Sequence, residues 1–109
     1  MITNELVPEL ANKEFEKFVK QGIVLVDFFA EWCMPCVMMG PVIEDLAEEF
    51  SGKIKVGKIN VDDNSELASK FNISSIPNLI LFKDGKIVEQ LIGARTHEEI
   101  AEVIKIYIN

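Results

Sequence analysis

A chain of 109 residues, 49% of them hydrophobic, is long enough to bury one substantial core and too short for two domains, so residues 1–109 read as a single domain. Its 18 acidic and 11 basic residues give a net charge of −7 and no Lys/Arg cluster along the sequence, which argues against a nucleic-acid partner. Two cysteines are too few for a disulfide framework, and the longest apolar stretch, Ile23 to Ala30, is too short for a membrane span and is interrupted by Asp27.

The opening residues, Met1 to Glu5, lack the basic and long apolar regions of a secretory signal, so a cytoplasmic location is expected. A weak first strand is predicted near Ile2 to Leu6. Asn12 then stands as the cap of a helix whose apolar face is Phe15, Phe18 and Val19, and Gly22 ends it. Ile23 to Phe29 is apolar at both parities, the mark of a strand buried on two faces. From Pro35 to Phe50, Met39, Val42, Ile43, Leu46 and Phe50 keep helical spacing opposite Glu44, Asp45, Glu48 and Glu49. Pro41 lies inside that helix and is expected to kink it, because it lacks an N–H and crowds the Val37 carbonyl.

Ser51-Gly52 breaks the chain before a predicted strand at Ile54 to Val61. Asp63 with Glu66 looks like a capping box for a short helix carrying Leu67, Ala68 and Phe71. Two β runs follow, Asn78 to Phe82 and Ile87 to Ile92, joined through Asp84-Gly85, a strong hairpin signal that makes the pair antiparallel. Thr96 with Glu99 forms a second capping box, opening a helix apolar at Ile100, Val103, Ile104, Tyr107 and Ile108. His97, just after the cap, reads as an exposed first-turn residue. The order predicts an α/β fold: a parallel βαβ unit plus an antiparallel hairpin in one mixed sheet, with helices on both faces.

Cys33 and Cys36 fall where the buried strand meets the kinked helix. Three-residue spacing in a first helical turn puts both sulfurs on one face, close enough to bridge. The helix N-terminus offers unpaired N–H groups and partial positive charge, which stabilise the thiolate that attacks disulfides. Pro35 suits that turn, where its missing N–H has no helical partner. In this reading Cys33, the more exposed sulfur, attacks a substrate disulfide, and Cys36 resolves the mixed disulfide. A structural zinc needs four ligands, and beyond this pair only His97 is at hand, so no metal is expected. Asp27 is out of place in a strand apolar at both parities, unless it is paired, neutral or at a strand end open to solvent. Lys58 shares parity with Ile54 and Val56, which leaves both a core-facing stem and a snorkelling surface lysine open. Met39 has the register of a core residue, whereas Met34 and Met38 suit a binding rim.

Taken together, four blocks resemble the thioredoxin family over almost the whole chain. They are Val26 to Cys36, ending in Trp32-Cys33-Met34-Pro35-Cys36; Lys58 to Asp62; Ile73 to Pro77 followed by Leu79 to Phe82; and Ile92-Gly93-Ala94. The resemblance implies the thioredoxin fold and a dithiol reductant of protein disulfides, without a cofactor. It implies Cys33 as nucleophile, Cys36 as resolving thiol, Asp27 as the buried carboxylate serving it, Lys58 as the partner of Asp27, and Pro77 as a cis proline facing the disulfide. Trp32, Met34, Pro35, Ile76, Gly93 and Ala94 match the substrate groove. The implied partners are disulfide-containing proteins and a thioredoxin-reductase-type electron donor, with the chain acting as a monomer. Four positions depart from the pattern: Met34 where Gly is usual, Val37 where a basic residue is common, Phe29 for Trp and Asn78 for Thr. A glutaredoxin-like or isomerase/oxidase activity, and a non-catalytic binding subunit, are the alternative readings.

Overall fold

The strand predicted at Ile23–Phe29 forms with those bounds (β1), and the remaining elements are arranged around it. The computed structural model describes residues 6–108. A parallel partner, β2 (Lys55–Asn60), lies on one edge of β1 and an antiparallel one, β3 (Asn78–Lys83), on the other. β4 (Lys86–Ile92) continues from β3, giving the order β2-β1-β3-β4. The β3–β4 turn is the predicted Asp84-Gly85, both residues at positive φ (51° and 85°), as a two-residue turn with right-handed strand twist requires.

Side chains of β1 alternate between two cores. Leu25 points to the face covered by α2 (Met34–Glu49) and α4 (His97–Tyr107), with Met39, Ile43, Leu46, Ile100 and Ile104. Val24, Val26 and Phe28 point to the face covered by α1 (Asn12–Val19) and α3 (Ser65–Lys70). There Phe15, Phe71 and Phe82 meet edge-on, with ring centroids 5.3–5.8 Å apart. Each such pair adds roughly 0.5–1.5 kcal/mol beyond its buried area. Gly57 of β2 lets the preceding segment close over this side, since a Cβ there would lie 2.8 Å from Leu10 Cδ1.

The described residues differ from expectation at several points. Ile2 to Glu5, most of the predicted first strand, lie outside them. Among the described residues a parallel bridge runs from Glu9 to Lys58, with Leu10 N–H donating to the Lys58 carbonyl (2.8 Å) and Lys58 N–H to that of Pro8 (3.0 Å). The predicted long helix begins one residue early, at Met34, and continues through Pro41 to Glu49. His97 is half-buried rather than exposed, its Nε2 bonded to Glu49 Oε1 at 2.7 Å, which ties the start of α4 to the end of α2.

Two predicted caps lie one residue from the observed ones. α1 begins at Asn12 with Ala11 as its cap residue, and α3 begins at Ser65 after Asn64, with no capping box from Asp63. Asn64 is buried between the two helices. Its Oδ1 accepts from the Asn12 N–H (3.2 Å), and its Nδ2 donates to the Asn60 carbonyl (3.0 Å). An orphan donor of α1 is thus satisfied by a residue 52 positions away. Asn64→Ala removes that remote cap and leaves a partly buried donor unpaired, so it is expected to cost about 1–2 kcal/mol in denaturant melts. Asn12→Ala, which keeps the backbone N–H, should cost less than half as much.

Candidate functional site

Three chain segments meet beyond the carboxyl end of β1. The strand delivers the chain through Ala30, fully buried, into Glu31 and Trp32 and then the first turn of α2. Cys33 is the N-cap of α2, in extended conformation (φ −89°, ψ 105°), and its Sγ accepts the Cys36 N–H at 3.3 Å. A sulfur therefore takes the position where Ser or Asp oxygen usually satisfies an orphan helix donor. Val37 N–H donates to the Cys33 carbonyl (3.1 Å), closing the first turn around Pro35, which lies within it and has no N–H to lose. Cys33 and Cys36 are joined in a disulfide, with Cα atoms 5.2 Å apart.

Burial corrects one expectation. In this bonded form Cys33 is not the more exposed sulfur: both cysteines are 5% exposed, packed with Ala30 and covered by Phe29, Val61 and Ile76. What separates them is position. Cys33 is the helix cap facing the partial positive charge of the terminus, with no acidic residue in the first turn, whereas Cys36 lies within the turn.

Ile76-Pro77 is a cis peptide, as the family resemblance implied, and Ile76 packs against the cysteines. The Pro77 carbonyl accepts the Gly93 N–H (2.8 Å), so the Gly93-Ala94 segment, at the positive φ of Gly93 (93°), lies beside the proline loop. Asn78 is buried directly after it, donating to the Ser75 carbonyl (3.3 Å) and accepting from Gln90 Nε2 (3.0 Å). These bonds fasten the loop to β4.

Around the disulfide the surface is apolar. Met34, Val37 and Met38 are exposed, and Met34, Pro35, Met38 and Ala94 share a shallow groove of about 370 Å³ that ends at Arg95. Met39 is buried in the core, as its register predicted. Trp32 stands on the other side of the site, 72% exposed, its Nε1 donating to Asp62 Oδ2 at 2.9 Å. Asp62 is itself placed by Asn60, whose Oδ1 accepts from the Asp62 and Asp63 N–H groups (2.9 and 3.3 Å). The role of these two residues in holding the indole was not foreseen. The Asn-x-Asp-Asp-Asn run after β2 carries the signal, being rich in side chains that bond their own backbone two residues on.

Beneath the site lies Asp27, 5% exposed, on the same sheet face as Leu25 and Phe29. Its Oδ1 meets no hydrogen-bond donor. Lys58 is its register partner on β2 and half-buried, with its Nζ 5.5 Å from the Phe29 ring centroid. Burial raises the Asp27 carboxyl from its ordinary value to about 7, and the Lys58 charge only partly opposes the shift. All eleven residues predicted for the site thus lie at this end of the sheet or directly beneath it. They fall into two groups, however, with Trp32 apart from the Met34–Ala94 groove.

Comparison with known proteins agrees with this geometry. The thioredoxin family model matches residues 6–106. A thioredoxin from Chlamydia pneumoniae is 46% identical over 99 residues, covering 91% of this chain and 96% of that one. One from Listeria monocytogenes is 44% identical over 103 residues, covering 94% and 100%. Among solved structures, a mutant thioredoxin from Halobacterium salinarum NRC-1 superposes with a TM-score of 0.88 at 36% identity, covering 97% of this chain and 93% of that one. With its bridged cysteine pair at the cap of α2, the chain belongs to the thioredoxin family and is a thiol–disulfide oxidoreductase.

Proposed function

We propose that this protein is a monomeric, cytoplasmic dithiol reductant of protein disulfides, with Cys33 as nucleophile and Cys36 as resolving thiol. The observation that carries the assignment is the Cys36 N–H donating to Cys33 Sγ at the cap of α2. In the reduced protein that donor and the helix terminus favour negative charge on Cys33 over Cys36. The Cys33 thiolate attacks one sulfur of a substrate disulfide, and the other substrate sulfur leaves as a thiolate and takes up a proton. Cys36 then loses its proton and attacks Cys33, releasing the second substrate thiol and leaving Cys33 and Cys36 oxidised. A reductase-type partner supplies the two electrons that restore the dithiol. No helix among the described residues is long and apolar enough to cross a membrane.

The apolar groove of Met34, Pro35 and Ala94 suits the segment beside a substrate cysteine, with Trp32 on the opposite rim. Backbone groups next to Pro77 suit strand-like pairing with that segment. Asp27 serves as the base that takes the Cys36 proton, because a buried carboxyl near neutrality accepts and returns a proton with little driving force either way. Lys58 tunes that carboxyl through its charge.

Two tests follow from these roles. Cys36→Ser should accumulate a mixed disulfide with a substrate protein through Cys33, seen by mass spectrometry under non-reducing conditions, and Cys33→Ser should not. Accumulation by Cys33→Ser instead reverses the assignment.

The second concerns pH. The folded Asp27 pKa, about 7, lies above the unfolded value of about 3.9. Between those values the native state holds a proton that the unfolded state has lost, so stability falls as pH rises through the window. Above pH 7 the full penalty is present, on the order of 4 kcal/mol. Asp27→Asn should therefore stabilise the oxidised protein above neutrality by roughly 2–4 kcal/mol, flatten the pH dependence of its melts, and slow resolution of the mixed disulfide. A variant less stable at every pH yet fully active would remove Asp27 from the mechanism.

A further inference from the structure

At the amino end of β1, the fold assembles a feature that the linear sequence hides. An open groove of about 1030 Å³ lies between α1, α3 and the β3–β4 turn, and five of the chain's eleven basic residues line it. Lys13 and Lys17 come from one face of α1 and Lys20 from its C-cap, Lys70 from α3 and Lys86 from the start of β4. Only two carboxylates share the lining, and both are engaged. Glu16 lies 3.8 Å from Lys70 Nζ, and Asp84 Oδ1 accepts the Gly22 N–H at 2.8 Å. Among the described residues the other four lysines form no ion pair. Below the lysines the floor is apolar, with the half-buried Phe71 ring and exposed Ile87 above Phe15 and Phe82.

This arrangement runs against the rest of the molecule. Glu14 and Glu16 alternate with Lys13 and Lys17 along α1, yet only Glu16 and Asp84 join the five lysines in the groove, in a chain whose net charge is −7. Screening over about 8 Å at physiological ionic strength makes the local field at the groove positive despite the net charge. We propose that this groove docks an acidic protein segment bearing an aromatic side chain: carboxylates meet the lysine walls while the ring lies on the Phe71–Ile87 floor. An extended polyanion such as nucleic acid fits less well on a chain whose net charge is −7. The seven residues of β1 separate the groove from the disulfide by roughly 20 Å. A partner held here therefore leaves the redox end free to turn over.

The test is an amide-shift NMR titration of the labelled full chain. The probe is a short synthetic peptide of glutamates and aspartates around two phenylalanines. Shifts should centre on Lys13, Lys17, Phe71 and Gly85, leave Trp32, Cys33 and Cys36 unmoved, and weaken with added salt. The double variant K13E/K17E, at exposed helix positions, should lower affinity about tenfold or more. Lys86→Glu, on the other wall, should weaken binding independently. Both variants should reduce a small aromatic disulfide at the unaltered rate. Shifts centred on the cysteine pair, unchanged affinity in both variants, equal binding of a peptide with serine in place of phenylalanine, or tighter binding of an oligothymidine would each overturn the proposal.

Discussion

β1 is hydrogen-bonded along both edges and buried on both faces, so each side chain it carries must be apolar or be satisfied by another element. Six of its seven residues meet that demand with hydrocarbon or aromatic surface. Asp27 does not, and its environment is left to decide its charge. Desolvation outweighs the Lys58 field, and the carboxyl rests near neutrality. The same two-sided burial makes the carboxyl end of β1 a rigid platform. Whatever follows Phe29 and Ala30 is delivered at a fixed position above Asp27.

On that platform the disulfide is held by backbone as much as by side chains. Cys33 caps α2 because an extended residue ahead of a helix presents its side chain to the N–H three residues on, and here the acceptor is sulfur. Opposite it, the cis Ile76-Pro77 loop is bonded to Gly93 and, through Asn78, to Gln90. Trp32 is restrained by Asp62, which Asn60 restrains in turn. The two rims thus hang from different strands, β4 on one side and β2 on the other.

Legibility in the sequence followed the range of the physics. β1 could be bounded to the residue because apolarity at both parities and Gly22 are local facts. The Asp84-Gly85 turn and the Thr96–Glu99 box could be read for the same reason, since each involves residues within four positions. The redox pair was legible because two sulfurs in one helical turn are neighbours whatever the rest of the chain does. What stayed hidden acts through space. Asn64 capping α1, Glu49 meeting His97, and five lysines gathering from three segments depend on packing that no window of sequence contains. The equal burial of the two cysteines is of the same kind, set by Phe29, Val61 and Ile76 closing around the bridge.

A buried carboxyl that Lys58 compensates only in part weighs heavily in a domain whose total stability is typically only about 5–15 kcal/mol. Its penalty falls only on the ionised form, so it is absent below the unfolded pKa of about 3.9, grows as pH rises through the window and is complete above about 7. The phenylalanine cluster on the opposite sheet face and the apolar layer under α2 and α4 contribute at every pH, and they offset a penalty that depends on pH. The two faces of the sheet are unequal for that reason. The α1–α3 face carries no ionisable side chain from β1 and packs three rings edge-on, while the α2–α4 face accepts Asp27 and Lys58 near the cysteines. Moving the carboxyl one position along β1 would turn it into the phenylalanine face, away from both Lys58 and the sulfurs. Strand register thus keeps the expensive side chain of β1 on the face that also carries Lys58.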